Sequence, residues 1–406
     1  MIRAAMRPTL GEAPYAGGLL LGAILLVASG YLGAGLESVR QSDFAGFWVG
    51  ARAVVAGYDP FHAADWPSLA EALGGQRPDT QVFGYPGWVA LALVPLALLP
   101  LPAAWAVWTF GGLIVAAAAV RLLVRTATPD LPVVHTLAGL TLLASQPART
   151  AVVLGQWAFL LLAALVLAVI LIRRRPLAAG IAATVLLAKP QLFLLAYPAL
   201  TLRAFALGRL QPFAAALVAG GTVLIAGSLI ALPGWPAAWL AAVPGRRLFE
   251  APQTTTIPAL LNGVVGRPAV VVTAILAVML LLTALSFRPS TDAGLGIWLV
   301  LSLVVAPYQW SYDQLPLLVA IVLVASGIRG ISQRRAVLTA SAVFALVLLL
   351  GTLLGVHAAR SGTEVLAALV PALALVGLVI GAWPLRRPIP RPSRAMPSPL
   401  ASDTSL

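Results

Sequence analysis

An aspartate near the N-terminus, Asp43, is the first residue whose position suggests chemistry. It lies in the sequence QSDFAGFW (41–48), shortly after an apolar run over 15–36. Aromatic neighbours could hold its carboxylate at the mouth of a membrane cavity, where it could act as a general base for a hydroxyl group. The alternative is a structural role, because Ser42 or Asp43 would cap the helix that follows.

Two further polar residues interrupt apolar sequence. Lys189, the only lysine, lies in LAKPQ (187–191), and an ionisable residue there indicates a functional site. Its ammonium group at a proline-broken helix suits the phosphate of a donor substrate, although a lysine that extends to the membrane surface is the alternative. Gln156, in LGQW (154–157), is predicted to bind a sugar or phosphate, or else to join two helices.

The segment APYQWSYDQ (306–314) combines aromatic rings with a carboxylate. Rings stack on the apolar faces of sugars and carboxylates accept their hydroxyl groups, so the segment predicts a sugar or acceptor site formed by Tyr308, Trp310, Tyr312 and Asp313. The alternative is an aromatic belt at the membrane surface with Asp313 as a helix N-cap.

Arg246 and Arg247 lie on the side of the membrane that is otherwise poor in basic residues. They are predicted to bind the phosphate of a donor or an anionic lipid head, with simple contact to outer-leaflet phosphates as the alternative. The three histidines are scattered, and the chain has no cysteine and no DxD pair, so no metal or other cofactor is predicted.

The elements that must position these residues are membrane helices. Of the 406 residues, 60% are hydrophobic and 10% are charged, against about a quarter charged in soluble domains. At roughly 20 apolar residues per crossing, this predicts an all-α polytopic membrane protein with about 10 to 13 transmembrane helices. The net charge of +13 is spread between apolar runs, which is typical of membrane topology and not of a nucleic-acid partner.

The basic residues predict the orientation. Most fit one side, which the positive-inside rule makes the cytoplasm; they are Arg173 to Arg175, Arg203, Arg209, Arg288, Arg329, Arg334, Arg335 and the tail from Arg386 to Arg394. The opposite side receives 37–85, which holds six of the 13 acidic residues, and the segments with Gln156, Arg246 and Asp313. The run over 15–36 is predicted to be a retained first helix and not a cleaved signal peptide.

Two segments predict special geometry. The run 86–120 is long enough for two crossings, but Arg121 and Arg125 would then lie on the wrong side, which predicts a re-entrant or steeply tilted segment. Phe44 to Ala56 places aromatic residues on one helical face and predicts an amphipathic helix at the membrane surface. Residues 1–387 would form one transmembrane domain, and 388–406, rich in Pro, Ser and Arg, a disordered cytoplasmic tail.

Several short motifs occur in a familiar order. They are Asp43, GYDPF (57–61), Tyr85-Pro86, Pro95-Leu96 with Leu99-Pro100, Gly155-Gln156, Lys189-Pro190 and the segment from Ala306 to Asp313. In this order the chain resembles the membrane mannosyltransferases that use polyprenyl-phosphate-mannose, glycosyltransferase family 87, which have the C-type membrane glycosyltransferase architecture. The resemblance covers about residues 10–385.

The resemblance implies a function for these residues. Asp43 would be the base, the donor a polyprenyl-phosphate-linked sugar, and the acceptor a lipid or glycan, with direct inverting transfer. Lys189 and an external arginine would neutralise the phosphate, and the polyprenyl tail would lie between helices. Many members resemble Ser-Pro-x-Ser-Trp-x-His where this chain has PYQWSYD (307–313), so Asp313 stands at the position of a histidine.

The sequence therefore predicts a hexosyltransferase, with mannose as the sugar, whose site faces the periplasm. The abundance of Arg and Ala over Lys is typical of GC-rich bacterial genomes and predicts the inner membrane. A transporter or flippase of a lipid-linked glycan is the alternative, although no second broken segment matches Lys189-Pro190, as paired transporter halves would require. A non-catalytic membrane subunit is a third interpretation.

Overall fold

The protein is described from a computed structural model, which covers residue 22 and residues 39–62, 66–75, 82–242, 254–266 and 269–386. Throughout these ranges the regular structure is helical, with no strand. The predicted all-α architecture is confirmed. Arg246, Arg247, most of the run 15–36 and the predicted tail over 388–406 lie outside the described residues.

The helices are numbered here in chain order along the described residues. They are α1 Asp43–Val55, α2 Trp66–Ala72, α3 Gly87–Ala92, α4 Val94–Ala97, α5 Leu101–Ala127, α6 Pro132–Ala144, α7 Gln146–Leu154, α8 Ala158–Leu171, α9 Pro176–Val185, α10 Ala196–Ala206, α11 Leu210–Ala231, α12 Trp235–Ala242, α13 Ile257–Val265, α14 Ala269–Leu285, α15 Asp292–Val304, α16 Leu317–Arg329, α17 Gln333–Ser361 and α18 Leu369–Ala382. Short 3-10 turns separate some of them, including Leu186–Ala188, Pro190–Phe193 and Ser311–Gln314.

Six continuous helical stretches in the described ranges are long and apolar enough to cross a membrane. They are Leu101–Ala127, Pro132–Leu154, Leu210–Ala231, Ser311–Arg329, Gln333–Ser361 and Val365–Arg386, and four shorter apolar helices accompany them. The chain is therefore a polytopic integral membrane protein. The number of 10 to 13 crossings stays a prediction.

The centre and the periphery of the helical bundle differ in burial. Helices α15 and α16 pack along each other. In the stretch Ser311–Arg329, which contains α16, 89% of the most apolar part is buried inside the protein. In α11 the corresponding share is 17%, and most of its exposed residues are apolar. Because exposed apolar side chains suit lipid as solvent, α11 lies at the lipid-facing periphery and α16 at the core.

The segment over 86–120 does not form two crossings. Helices α3 and α4 have six and four residues, far short of the roughly 20 that a crossing needs. Pro95 and Pro100 stand at the starts of new helical segments, and α5 then runs unbroken to Ala127 with Arg121 and Arg125 in its last turns. A single crossing after a non-spanning segment places both arginines at the end predicted for them.

The helix predicted in the first external loop is confirmed as α1. Its aromatic residues Phe44, Phe47 and Trp48 are buried, but so are Val49 and Ala53 on its other sides. Helix α1 packs against α3, α4 and α5. It is therefore more enclosed by protein than a helix lying on the membrane surface.

One end of the bundle carries basic residues in ion pairs. The buried guanidinium of Arg203 contacts Asp292 at 2.5 Å, and Ser326 donates a hydrogen bond to the same carboxylate at 2.9 Å. Arg329, the last residue of α16, pairs with Asp130 in the connection between α5 and α6. The loops at the opposite ends of these helices contain Gln156, Lys189 and Asp313.

Candidate active site

Four separate chain segments meet at the end of the bundle opposite the basic one. Asp43 is the first residue of α1, and Gln156 lies in the connection between α7 and α8. Lys189 lies between two 3-10 turns, and Asp313 lies in the 3-10 turn Ser311–Gln314. Hydrogen bonds connect the four side chains in the order Asp43, Gln156, Lys189, Asp313. The sequence predicted each as a site residue, and the fold brings them together.

Asp43 is held by Gln156. The Nε2 group of Gln156 donates a hydrogen bond to Oδ2 of Asp43. Ser42 occupies the N-cap position of α1 but makes no side-chain capping bond; its hydroxyl donates to the carbonyl of Val39 at 2.7 Å instead. Ser42 therefore has the N-cap position predicted for it but not the side-chain bond of a cap.

Lys189 is buried. Only 4% of its surface is exposed, and its Nζ donates to Oδ1 of Asp313 at 2.7 Å and to Oε1 of Gln156 at 3.0 Å. The same ammonium lies 4.5 Å from the ring centre of Tyr312, a cation–π distance. A lysine that extends to the membrane surface is excluded by this burial.

Asp313 is fixed from two sides. Its Oδ1 accepts from Lys189, and its Oδ2 accepts from the backbone N–H of Trp310 at 3.0 Å. Asp313 is the third residue of the 3-10 turn and caps it through this backbone hydrogen bond. The N-cap position that was predicted for Asp313 is occupied by Trp310. With 2% of its surface exposed, the carboxylate faces the protein interior.

The aromatic residues of 308–312 divide into two groups. Tyr308 and Trp310 are half-buried, with perpendicular rings 6.4 Å apart and a 2.8 Å hydrogen bond from Trp310 Nε1 to the Tyr308 hydroxyl. Tyr312 is buried beside Lys189. Tyr308 and Trp310 therefore retain surface that a ligand could touch, whereas Tyr312 is buried and does not.

Asp43 differs in exposure from the other three hydrogen-bonded side chains. Gln156, Lys189 and Asp313 are each at most 4% exposed, whereas Asp43 keeps an exposed surface. The protein packed around the rest of the carboxyl raises the pKa of Asp43 above its usual range, against lowering contributions from Gln156 and Lys189. The arrangement presents one accessible carboxylate, backed by buried polar groups, which suits proton abstraction.

A family model described as glycosyltransferase family 87 matches residues 83–326, more than half of the chain. The chain belongs to glycosyltransferase family 87. A search of curated proteins and a search of solved structures each find no match.

Membership of glycosyltransferase family 87 makes the protein a membrane glycosyltransferase, with a sugar donor and an acceptor as its substrates. It decides against the transporter and the non-catalytic subunit as interpretations. The matched residues include Gln156, Lys189 and Asp313, while Asp43 lies before the match and is joined to it through Gln156.

Tyr85, which was not predicted as a site residue, also contacts these side chains. The hydroxyl of Tyr85 lies 3.5 Å from Oε1 of Gln156, and its ring packs edge-on against Phe47. Burial, followed by repulsion from Asp43 and Asp313, raises the pKa of Tyr85 well above its usual range, so its hydroxyl stays protonated. The Tyr85-Pro86 pair, placed directly before α3, was the available signal.

A second set of polar contacts fixes the segment that carries Asp313. Gln146 donates to the Ser311 hydroxyl at 2.7 Å, and Glu364 accepts from the Ser311 backbone N–H at 3.1 Å. On the other side, Gln309 and Thr255 exchange hydrogen bonds of 2.8 and 3.0 Å. Nothing in the spacing of these residues along the sequence indicates the pairing, because each partner comes from a different helix end.

Proposed function

We propose that the protein transfers a hexose, with mannose the first candidate, from a polyprenyl-phosphate donor to a lipid or glycan acceptor. The observation that carries the proposal is the accessible carboxylate of Asp43, to which Gln156 donates a hydrogen bond. The half-buried rings of Tyr308 and Trp310 belong to the segment of Asp313, which is linked to Asp43 through Lys189 and Gln156. A membrane transferase needs such a base where the acceptor hydroxyl enters.

The proposed reaction is a direct displacement. Asp43 takes the proton of the acceptor hydroxyl as the acceptor oxygen bonds to the anomeric carbon, and the bond from that carbon to the phosphate oxygen breaks. The electron pair leaves with polyprenyl phosphate, and the configuration at the anomeric carbon is inverted.

The leaving phosphate needs cations. Arg246 and Arg247 are assigned to it, because a guanidinium group can form two hydrogen bonds to a phosphate and both residues shortly precede Thr254 in the sequence. Lys189, the other residue with a predicted phosphate role, already bonds to Asp313 and Gln156 behind Asp43. We therefore assign the phosphate to the arginines first.

An apolar groove on the surface of the bundle supports a lipid-linked donor. It opens between α13, α14 and the end of α15 and is lined by Ile257, Pro258, Thr273, Leu276, Ala277, Leu280, Val304 and Val305. Thr255, two residues before its wall, bonds to Gln309 of the aromatic segment. A polyprenyl tail in this groove would have its phosphate end directed toward Tyr308 and Trp310.

The orientation proposed is that of a bacterial inner-membrane protein. The arginine-rich end, with Arg203 and Arg329, would lie in the cytoplasm by the positive-inside rule. The Asp43 end would then face the periplasm, where lipid-linked sugar donors replace nucleotide sugars.

The test is transfer of radiolabelled mannose from polyprenyl-phosphate-mannose in membranes that contain the wild-type chain or Asp43→Asn at equal expression. Loss of a general base is expected to reduce transfer at least about a hundredfold. Asp130→Asn is the matched control, since it removes an exposed carboxylate at the opposite end. Full activity of Asp43→Asn would exclude Asp43 as the base, and a wild type inactive with every polyprenyl-phosphate sugar would exclude the donor class.

A further inference from the structure

The amide of Gln156 lies between two groups of opposite charge. Its Nε2 faces the carboxylate of Asp43, and its Oε1 faces the ammonium of Lys189 at 3.0 Å. A flipped amide would direct its oxygen at a carboxylate and its NH₂ at an ammonium, so both contacts would be repulsive. Lys189 therefore determines which end of the amide Asp43 receives.

Lys189 can orient the Gln156 amide only if its positive charge is balanced by a counter-ion. An unpaired buried ammonium group is strongly unfavourable, and at 4% exposure Lys189 depends on Asp313 as its counter-ion. Asp313 is in turn oriented by the backbone N–H of Trp310. The turn at 310–313 thus positions Asp313, which balances the charge of Lys189. Lys189 in turn orients the Gln156 amide that holds Asp43.

The break in the helix at Pro190 serves the same arrangement. The chain passes from the turn Leu186–Ala188 to the turn Pro190–Phe193 at Lys189, whose backbone leaves the helical conformation. The Ser302 hydroxyl donates to the carbonyl of Leu192 at 2.8 Å and accepts from the backbone N–H of Leu195 at 3.0 Å, which secures the broken segment against α15. Lys189 is held in place by its backbone as well as by its partners.

We propose that Lys189 and Asp313 are positioning residues for the base: their ion pair fixes the amide of Gln156, which holds Oδ2 of Asp43 and aims the accessible carboxylate at the acceptor hydroxyl. This proposal rests on the proposed role of Asp43. It assigns to Asp313 a function inside the protein and not on the sugar.

The test compares Lys189→Met with the double variant Lys189→Met/Asp313→Leu, which removes both charges and leaves none unpaired. A buried pair replaced by apolar residues usually leaves a folded protein, as size-exclusion elution in detergent would verify. We expect kcat for sugar transfer to fall about tenfold to a hundredfold in the double variant, as when supporting groups behind a reactive one are lost. The KM for the polyprenyl-phosphate sugar should stay within about threefold.

The pH dependence provides a second readout, because the charges act on Asp43 in opposite senses. Lys189 lowers the pKa of Asp43 and Asp313 raises it, within a site that also holds Tyr85, Tyr308 and Tyr312. The acidic limb of the kcat profile should move to higher pH in Lys189→Met. In the double variant Lys189→Met/Asp313→Leu it should stay nearer to that of the wild type, because both contributions are lost. A role that does not act on Asp43 would leave the limb in place in both variants.

The matched control is Arg203→Met/Asp292→Leu, which removes another pair with a buried cation at the far end of the bundle and should leave kcat and the pH profile unchanged. An unchanged kcat in the Lys189/Asp313 double variant would overturn the proposal. So would a donor KM raised about tenfold or more with kcat retained, because that result would make Lys189 a phosphate ligand. An inactive wild type would overturn the proposed function itself, which keeps the two failures apart.

Discussion

The ammonium of Lys189 and the carboxylate of Asp313 lie 2.7 Å apart, although 124 positions separate them in the sequence. Both side chains are at most 5% exposed, so the pair joins the broken helix after α9 to the turn before α16 inside the protein. Its energetic behaviour should therefore differ from that of an exposed pair.

Removing one partner of this pair should destabilise the protein more than removing both. Lys189→Met leaves Asp313 buried without its counter-ion, which typically costs about 3–5 kcal/mol, whereas an apolar replacement of both residues is often neutral. The measurement is the midpoint of thermal unfolding in detergent for Lys189→Met and for Lys189→Met/Asp313→Leu.

The control for this comparison is Asp130→Asn. Its partner Arg329 is partly exposed, and exposed pairs contribute about 0–1 kcal/mol. Equal losses for Lys189→Met and Asp130→Asn would contradict the buried character of the Lys189–Asp313 pair.

Gly155 should be essential for placing Gln156. It has φ of +62°, and a Cβ there would lie 2.5 Å from Cβ of Phe44, next to Asp43. Gly155→Ala therefore combines a left-handed backbone, at roughly 1–2 kcal/mol, with a collision against α1. We expect lower stability and a loss of transfer activity, measured as unfolding midpoint and kcat.

Gly208 offers the comparison, since it has φ of +66° and no atom within 4 Å of an added Cβ. Gly208→Ala should show the backbone cost alone and keep its activity. If both alanine variants lose activity equally, the close approach of Gly155 to Phe44 has no part in the site.

The pH dependence of transfer should show the raised pKa of Asp43. The base acts as a carboxylate, so activity should fall as the pH drops through its pKa, and that limb should lie above the ordinary aspartate value of about 3.9. The measurement is kcat/KM for the donor from about one pH unit below that ordinary value up to about pH 8. A limb at or below the ordinary value would mean that Asp43 is hydrated like a surface residue.

The sequence predicted the members of the site better than their contacts. Asp43, Gln156, Lys189 and Asp313 were identifiable because polar residues next to apolar runs are costly in lipid. That Lys189 would be ion-paired was not predictable, because the spacing along the chain does not specify which loops meet when helices associate.

The class of the fold was likewise predictable, whereas the packing of individual segments was not. Composition and apolar runs sufficed for an all-α membrane protein, since lipid permits few structures. The course of 86–120 needed the structure, because its apolar residues suit a crossing and a short buried helix equally well. Only the packing of α3 and α4 against α1 distinguishes the two.

Trp310 should contribute to sugar binding through its ring and to local structure through its indole N–H. Trp310→Phe keeps a ring for stacking but loses the 2.8 Å bond to Tyr308, so we expect a modest rise in KM. Trp310→Ala removes the ring and should raise the KM by about tenfold, which corresponds to roughly 1.4 kcal/mol. Trp383→Ala, an exposed tryptophan beside Arg386 at the basic end, is the control and should leave the KM unchanged. Because the backbone N–H of Trp310 still reaches Asp313 in every variant, kcat should change less than KM. A fall in kcat at constant KM would instead mean that the ring supports the turn at Asp313 and does not touch the sugar.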